Sequence, residues 1–459
     1  MNKKFILRRK QYMKEKHYIQ KLVETQKKGR PRGIYSVCSA NPYVIKAAVI
    51  QGVEDDSTVL IESTCNQVNQ FGGYTGMTPK DFNDHVISVA RSCSLAPDKL
   101  ILGGDHLGPY PFRHEKAEKA MTQTGQMIRA FILAGCTKIH LDASYRLADD
   151  PGRELDPLPP ETISTRCANL CSEAERAFQE LSTGKPDAVP PVYVIGTEVP
   201  APGGNKELVD EELQITSVTD LRETIHLTQK AFYKKGLEEA WERVVAVVVQ
   251  PGVEHGNHTV IEYDRQKAKQ LTEELKSYPK LVFEGHTTDY QTVKALKEMV
   301  VDGIAILKTG QSQTAAAREA VFMLNYMEEE LLSNREGVTL SKFRETIDQV
   351  MQKEPKYWEG YYHGAQPAFD RRYSYFDRQR YYWSYRQVKE SLSLLLNNMR
   401  CHKIPLSLIS QFLPEQYKKI RLGLLSLDPE DLIRDRIMDH MREYSYAVGN
   451  RDMVSDWWS

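Results

Sequence analysis

The sequence predicts an α/β fold: a (β/α)8 barrel of the TIM type with a helical C-terminal extension. Three observations predict it. Eight short runs rich in Val, Ile and Leu recur between residues 33 and 310, each polar only at its C-terminal end, as parallel strands buried on both faces read. Amphipathic stretches such as 79–95 and 116–135 separate them, and strand alternating with helix eight times points to a barrel. Long loops rich in Pro, Gly and Asp follow the fourth and fifth runs, at 145–161 and 200–213, on the side where barrels build their substrate sites.

Taken in order, the runs are GIYSVCSA (33–40), TVLIEST (58–64), KLILGGDH (99–106), TKIHLDAS (137–144), VYVIGTEV (192–199), VVAVVVQP (244–251), KLVFEGHT (280–287) and GIAILKTG (303–310). The stretch 313–332 reads as the last barrel helix, and beyond it no clear strand series appears. The division is therefore a basic N-terminal arm (1–32), the barrel (33–330) and the extension (331–459), which contains an aromatic and basic stretch at 358–388.

Bulk properties narrow the function. Of 459 residues, acidic and basic side chains nearly balance at a net charge of −1, so no global field draws the chain to nucleic acid or anionic lipid. Only the arm is strongly basic, with Lys3, Lys4, Arg8, Arg9 and Lys10. With Tyr18, Ile19, Leu22 and Val23 spaced as on a helix face, it reads as a solvated lead-in, helical in part. It lacks a signal-peptide core, and no apolar run reaches transmembrane length. Seven scattered cysteines, an odd number, fit reduced thiols and a cytoplasmic setting.

The strand ends carry the chemistry. The second offers Glu62, then Asn66 and Gln67; the third Asp105 and His106; the fourth His140, Asp142 and Ser144; the fifth Glu198; the sixth His255; the seventh Glu284 and His286; the eighth Lys308. Three imidazoles from separate strands, His106, His255 and His286, suit a divalent metal, zinc first, with a coordination position left for a substrate oxygen. Asp105 then suits a general acid/base on a hydroxyl. Glu198 is an extra ligand or a second base, and Asp142 orients a ligand or the substrate. His140 lies deeper in its strand and reads equally well as a buried hydrogen-bonded residue. Lys308 admits a metal-free Schiff base with a ketose, although a phosphate or hydroxyl contact is preferred. For anion binding, Gly310, Gln311 and Ser312 before a helix offer backbone N–H groups. The cluster Arg371, Arg372, Arg378 and Arg380 is a second source, with Arg378 the substrate-contact candidate, against a preferred reading as cation–π packing.

The segments ESTCNQVNQFGGYTGMTPKDF (62–82), GGDHLGPYPF (103–112), HLDASYRLADDP (140–151), GTEVPAPGG (196–204), QPGVEHGN (250–257), FEGHTTDYQ (284–291) and SYFDRQRYYW (374–383) closely resemble the family of the Z subunit of D-tagatose-1,6-bisphosphate aldolase. The resemblance runs from about residue 33 to the end. That family is similar in turn to the class II aldolases. The match implies Asp105 as catalytic acid/base, His106, His255 and His286 as zinc ligands, and Glu198 as the mobile acidic residue. Thr287, Thr288 and Asp289 stand where class II enzymes carry a Gly-Gly-Ser phosphate loop, so phosphate binding in the class II manner is not implied.

The resemblance implies metal-dependent aldol chemistry at C3–C4 of a ketohexose or its phosphate. A fructose/tagatose 4-epimerase is the close alternative, and a non-catalytic subunit that stabilises a class II aldolase partner is the alternative of a different kind. An older reading of the family as tagatose-6-phosphate kinases finds no Walker-type loop here. A homo-oligomer is expected.

Overall fold

In the computed structural model the described residues are 16–152, 157–196, 213–362 and 366–452. The eight strands are β1 (Ile34–Cys38), β2 (Val59–Thr64), β3 (Leu100–Leu107), β4 (Lys138–Leu141), β5 (Val192–Ile195), β6 (Val244–Val249), β7 (Val282–Gly285) and β8 (Ile304–Thr309). They close in sequence order, with β8 against β1, and every barrel pairing is parallel. Each predicted run contains its observed strand, except that β3 continues one residue further, to Leu107. Amphipathic helices such as Pro42–Glu54, Pro79–Ser92 and Ala117–Leu133 lie between the strands.

One expected strand end moves. His255 is not on β6, which stops at Val249. Pro251 and Gly252, the latter at φ +92°, turn the chain away, and His255 falls on a two-residue antiparallel ribbon, Glu254–His255 with Val260–Ile261.

The barrel interior is layered. Ile34, Leu60, Ile101, Val192 and Val282 form an apolar lower layer. The helix Tyr18–Lys27 seals it, inserting Ile19, Leu22 and Val23 into that cluster. This part of the basic arm is thus a barrel floor and not a solvated lead-in: three apolar side chains one turn apart find an apolar end to cover. His17 caps the helix, its Nδ1 accepting from Ile19 N–H at 3.2 Å, and its Nε2 lies 3.1 Å from Thr137 Oγ1.

The C-terminal region is helical, as expected, and its last helix, Pro429–Val448, packs on Pro42–Glu54, Val293–Val301 and Gln311–Leu332. Gly33 N–H donates to Val448 O at 3.0 Å at the entry to β1. The stretch around 374–381 reaches over the barrel mouth, where Tyr375 N–H donates to Asn257 O at 2.9 Å and Tyr290 OH to Tyr375 O at 2.9 Å. Among the described residues no helix is long and apolar enough to cross a membrane.

Candidate active site

Side chains alternate along a strand, so residues two apart share a face. Above the apolar floor this period raises two polar layers. The lower holds Ser36, Glu62, Lys138, Glu284 and Lys308; the upper holds Asp105, His140 and His286. The lower layer is a grid of ion pairs away from water. Lys138 Nζ lies 2.9 Å from Glu62 Oε2 and 2.6 Å from Glu284 Oε2, with all three side chains fully buried. Lys308 Nζ pairs with Glu62 and lies 3.1 Å from Asp105 Oδ1 and 3.9 Å from Glu284 Oε1. Gly103 makes room for this grid, since a Cβ there would meet Glu62 Oε1 at 2.7 Å.

Burial alone would lower the Lys308 pKa, but Asp105, Cys38, Glu62 and Glu284 hold it well above its ordinary value. The ammonium form has no lone pair, which argues against a Schiff base at this lysine. Glu284 and Asp105 are the converse. Burial would raise both, yet the lysines and histidines around them keep them well below the usual carboxylate range. Burial, only partly offset by Glu284 and Asp105, brings His286 down to about 4, so its ring is neutral.

The upper layer pairs each imidazole with a carboxylate. His106 Nδ1 is 2.9 Å from Asp142 Oδ2, His140 Nδ1 is 2.9 Å from Asp105 Oδ1, and His286 Nε2 is 3.0 Å from Glu284 Oε1. The three rings form a triangle with centroids 4.8–5.2 Å apart. An acceptor-only carboxylate makes the facing ring nitrogen the donor and leaves the other as a lone pair; His140 Nε2 is buried without a hydrogen-bond partner. Adjacent Asp105 and His106 both join this network because β3 breaks its alternation. His106 takes φ +47°, and the pairing with β4 shifts register between Gly104 and Leu107. Such a left-handed non-Gly residue costs about 1–3 kcal/mol and is typical of functional sites.

A divalent cation fits this donor set. Asp105, His140, Glu284 and His286 offer ligand atoms within 4.8 Å of one another. Among the described residues, four buried carboxylates, Glu62, Asp105, Asp142 and Glu284, face two buried ammonium groups, Lys138 and Lys308. Burial would lower the His106 pKa, yet Asp105 and Asp142 raise it, so this surplus of carboxylates favours positive charge, which a divalent ion would supply. Above it opens a cavity of about 800 Å³ lined by Asn66, Gln67, Asp105, His106, Asp289 and Arg380, among others.

A model of the D-tagatose-1,6-bisphosphate aldolase subunit GatZ/KbaZ-like family matches residues 19–449. The chain belongs to that family. It is 44% identical over 430 residues to D-tagatose-1,6-bisphosphate aldolase subunit GatZ of Escherichia coli, covering 93% of this chain and 99% of the relative. The subunit of the same name from Shigella boydii matches to the same extent. Among solved structures, a probable tagatose 6 phosphate kinase from Sinorhizobium meliloti 1021 superposes with a TM-score of 0.81 at 41% identity, over 91% of this chain and all of the other.

In this GatZ/KbaZ-like chain the barrel brings together Asp105, His106, His286, Asp142, Glu62 and Lys308. Ser144 joins them through Asp142 Oδ1, which accepts from its hydroxyl at 2.6 Å. Asn66 and Gln67 line the cavity. His255 stands apart: its ring packs 4.7 Å from Phe376 and 5.0 Å from Tyr290, and its buried Nε2 has no hydrogen-bond partner. Arg378 also leaves the site, stacked over the Tyr361 ring at 3.1 Å as the cation–π reading had it, while Arg380 reaches the cavity wall. Glu198 lies outside the described residues. Two residues escaped the sequence reading. Lys138 was legible in principle, two positions before His140 on the same strand face. Asp289 was noted only as part of a replaced loop.

Proposed function

We propose that this chain carries out metal-dependent aldol and retro-aldol chemistry at the C3–C4 bond of a ketohexose or ketohexose phosphate. The observation that supports it most is the buried triangle of imidazole–carboxylate pairs, with its surplus of carboxylates over ammonium groups, at the base of a sugar-sized cavity. A bound divalent cation, zinc first, would supply Lewis acidity toward a ketose carbonyl. Of its proposed ligands, His286 belongs to the donor set above, and His106, with its Nδ1 2.9 Å from Asp142, adjoins that set. Geometry supports His140 as the third, and the GVEHGN motif supports His255; each holds a buried Nε2 without a partner.

The chain's own residues divide the remaining work. Asp105, ionised beside Lys308, accepts the proton of the C4 hydroxyl. Loss of that proton lets the C4–O bond become a carbonyl as C3–C4 breaks, with the bonding electrons left on the ketone-bearing fragment. Lys308 holds Asp105 in place, and Asn66 and Gln67 offer hydrogen bonds to sugar hydroxyls. Release of the aldehyde, followed by protonation of the remaining fragment at C3 and its release, completes an aldolase cycle, the proton delivered to C3 balancing the one taken from the C4 hydroxyl. Rotation of the aldehyde and re-addition inverts C4, which is a 4-epimerase, so closure of the mouth decides between them. Glu198, on the loop after β5, is retained as a second base.

The relatives are named as subunits, which favours a second reading: a chain that stabilises a class II aldolase partner, itself in a homo-oligomer. One experiment separates these readings. Purified protein of known metal content is incubated with fructose, fructose 6-phosphate and tagatose 1,6-bisphosphate, with and without chelator. Chelator-sensitive tagatose forms establish an epimerase and triose phosphates an aldolase. No turnover by metal-loaded protein, with a gain on adding a class II partner, establishes the subunit.

A further inference from the structure

Barrels of this type commonly hold a substrate phosphate at the loops after strands 7 and 8, on backbone N–H groups at a helix start. Here that position is filled from within the chain. Asp289 Oδ1 accepts from Gly310 N–H at 3.1 Å, Ser312 N–H at 2.8 Å, Ser312 Oγ at 2.7 Å and Thr309 Oγ1 at 2.9 Å. The carboxylate thereby caps the 22-residue helix Gln311–Leu332 from another loop. Its loop is pinned on both sides. Thr288 Oγ1 donates to Lys308 O at 2.7 Å, and Tyr444 OH donates to Thr288 O at 2.7 Å. Asp289 is 4% exposed, yet it lines the same cavity as Asp105, His106 and His286.

We propose that Asp289 is a specificity-determining residue, an internal carboxylate standing where a substrate phosphate would otherwise sit, which limits the substrate to ketohexoses bearing at most one phosphate. Two backbone donors at the helix start, Gly310 and Ser312 N–H, already have a tethered acceptor that a free ligand must displace against its higher effective concentration. A phosphate brought there also meets a fixed negative charge in a buried setting, where like charges repel strongly. Arg380, a guanidinium on the cavity wall, already donates to Gln311 Oε1, Asp377 O and Tyr381 OH. A 1,6-bisphosphate carries a phosphate at each end of the sugar, so the end directed to the helix start meets Asp289. This substrate class rests on the proposed aldol reading; the filled helix start does not.

The test uses the full-length metal-loaded protein and its Asp289→Gly and Asp289→Asn variants, with thermal unfolding to establish that each is folded. Inorganic phosphate binding is measured by calorimetry. Asp289→Gly should bind phosphate at least 30-fold more tightly than the natural chain, with Asp289→Asn, which keeps a cap acceptor without the charge, in between. In turnover, the natural chain should use fructose 1,6-bisphosphate at least 100-fold less efficiently in kcat/KM than the better of fructose 1-phosphate and fructose 6-phosphate, and Asp289→Gly should narrow that gap. Equal phosphate affinity in the natural chain and a folded Asp289→Gly, or equal use of bisphosphate and monophosphate by the natural chain, overturns the proposal. If no ketose is turned over by any of the three, the aldol reading fails, and the phosphate affinities alone decide the role of Asp289.

Discussion

Replacing Lys138 with Met tests the charge grid most directly. The side chain is fully buried and places its ammonium 2.6 Å from Glu284 and 2.9 Å from Glu62. Met has similar length and no charge. Glu62 keeps Lys308 as a partner, whereas among the described residues the ammonium left to Glu284 is that of Lys308, 3.9 Å away. The penalty therefore falls mainly on Glu284, a carboxylate with no access to water. Breaking a buried pair by removing one partner costs about 3–5 kcal/mol, since the stranded charge stays desolvated. That loss should appear in the unfolding free energy from urea titration with chelator present. The double variant Lys138→Met/Glu284→Gln should recover more than half of it, because the stranded charge is gone. The single variant also removes one positive charge from the cluster, so saturating zinc should offset more of the loss than it does in the natural chain. A loss below about 1 kcal/mol, against the range for broken buried pairs, or a double variant no more stable than the single one, would refute the grid as a set of true ion pairs.

Four further outcomes are expected. His286→Ala should lose activity and metal together; full metal occupancy, read by elemental analysis, would remove His286 from the ligands. Of His140→Ala and His255→Ala, the one that loses metal names the third imidazole, and retention of metal by both would leave only His106 and His286 as imidazole ligands. Asp105→Asn should reduce kcat by about 10²–10⁴-fold, as for loss of a general base, with metal content retained; loss of metal instead would make Asp105 a ligand. His17 is driven by burial from 6.5 to about 4. Its neutral form is thus favoured in the fold, and its contribution is full above pH 6.5 and lost as pH falls toward 4. Natural chain minus His17→Asn should therefore lose roughly 3 kcal/mol of unfolding free energy over that window, and parallel pH profiles would exclude the assignment.

The sequence alone determined the architecture and pointed to most of the residues the candidate site brings together. Buried parallel strands must be apolar along their length and polar only where they emerge, so eight such runs marked the barrel, and their ends named Glu62, Asp105, His106, Asp142, His286 and Lys308. What it missed follows from the limits of that signal. A strand-end inventory stops at the rim and overlooks a charge deep in a strand, so Lys138 went unnamed and His140 undecided, although the two-residue period runs through both. Apolar spacing in the arm indicated a helix face without saying what it would cover; only closure of the barrel creates the floor that Ile19, Leu22 and Val23 seal. Tertiary structure alone placed His255 on a ribbon beyond β6, exchanged Arg378 for Arg380 at the cavity, and set Asp289 on the start of a helix some twenty residues further along. These are contacts between loops distant in sequence. Their positions depend on how neighbouring strands stagger as the sheet closes, and hydrophobic periodicity within a single segment holds no record of that stagger.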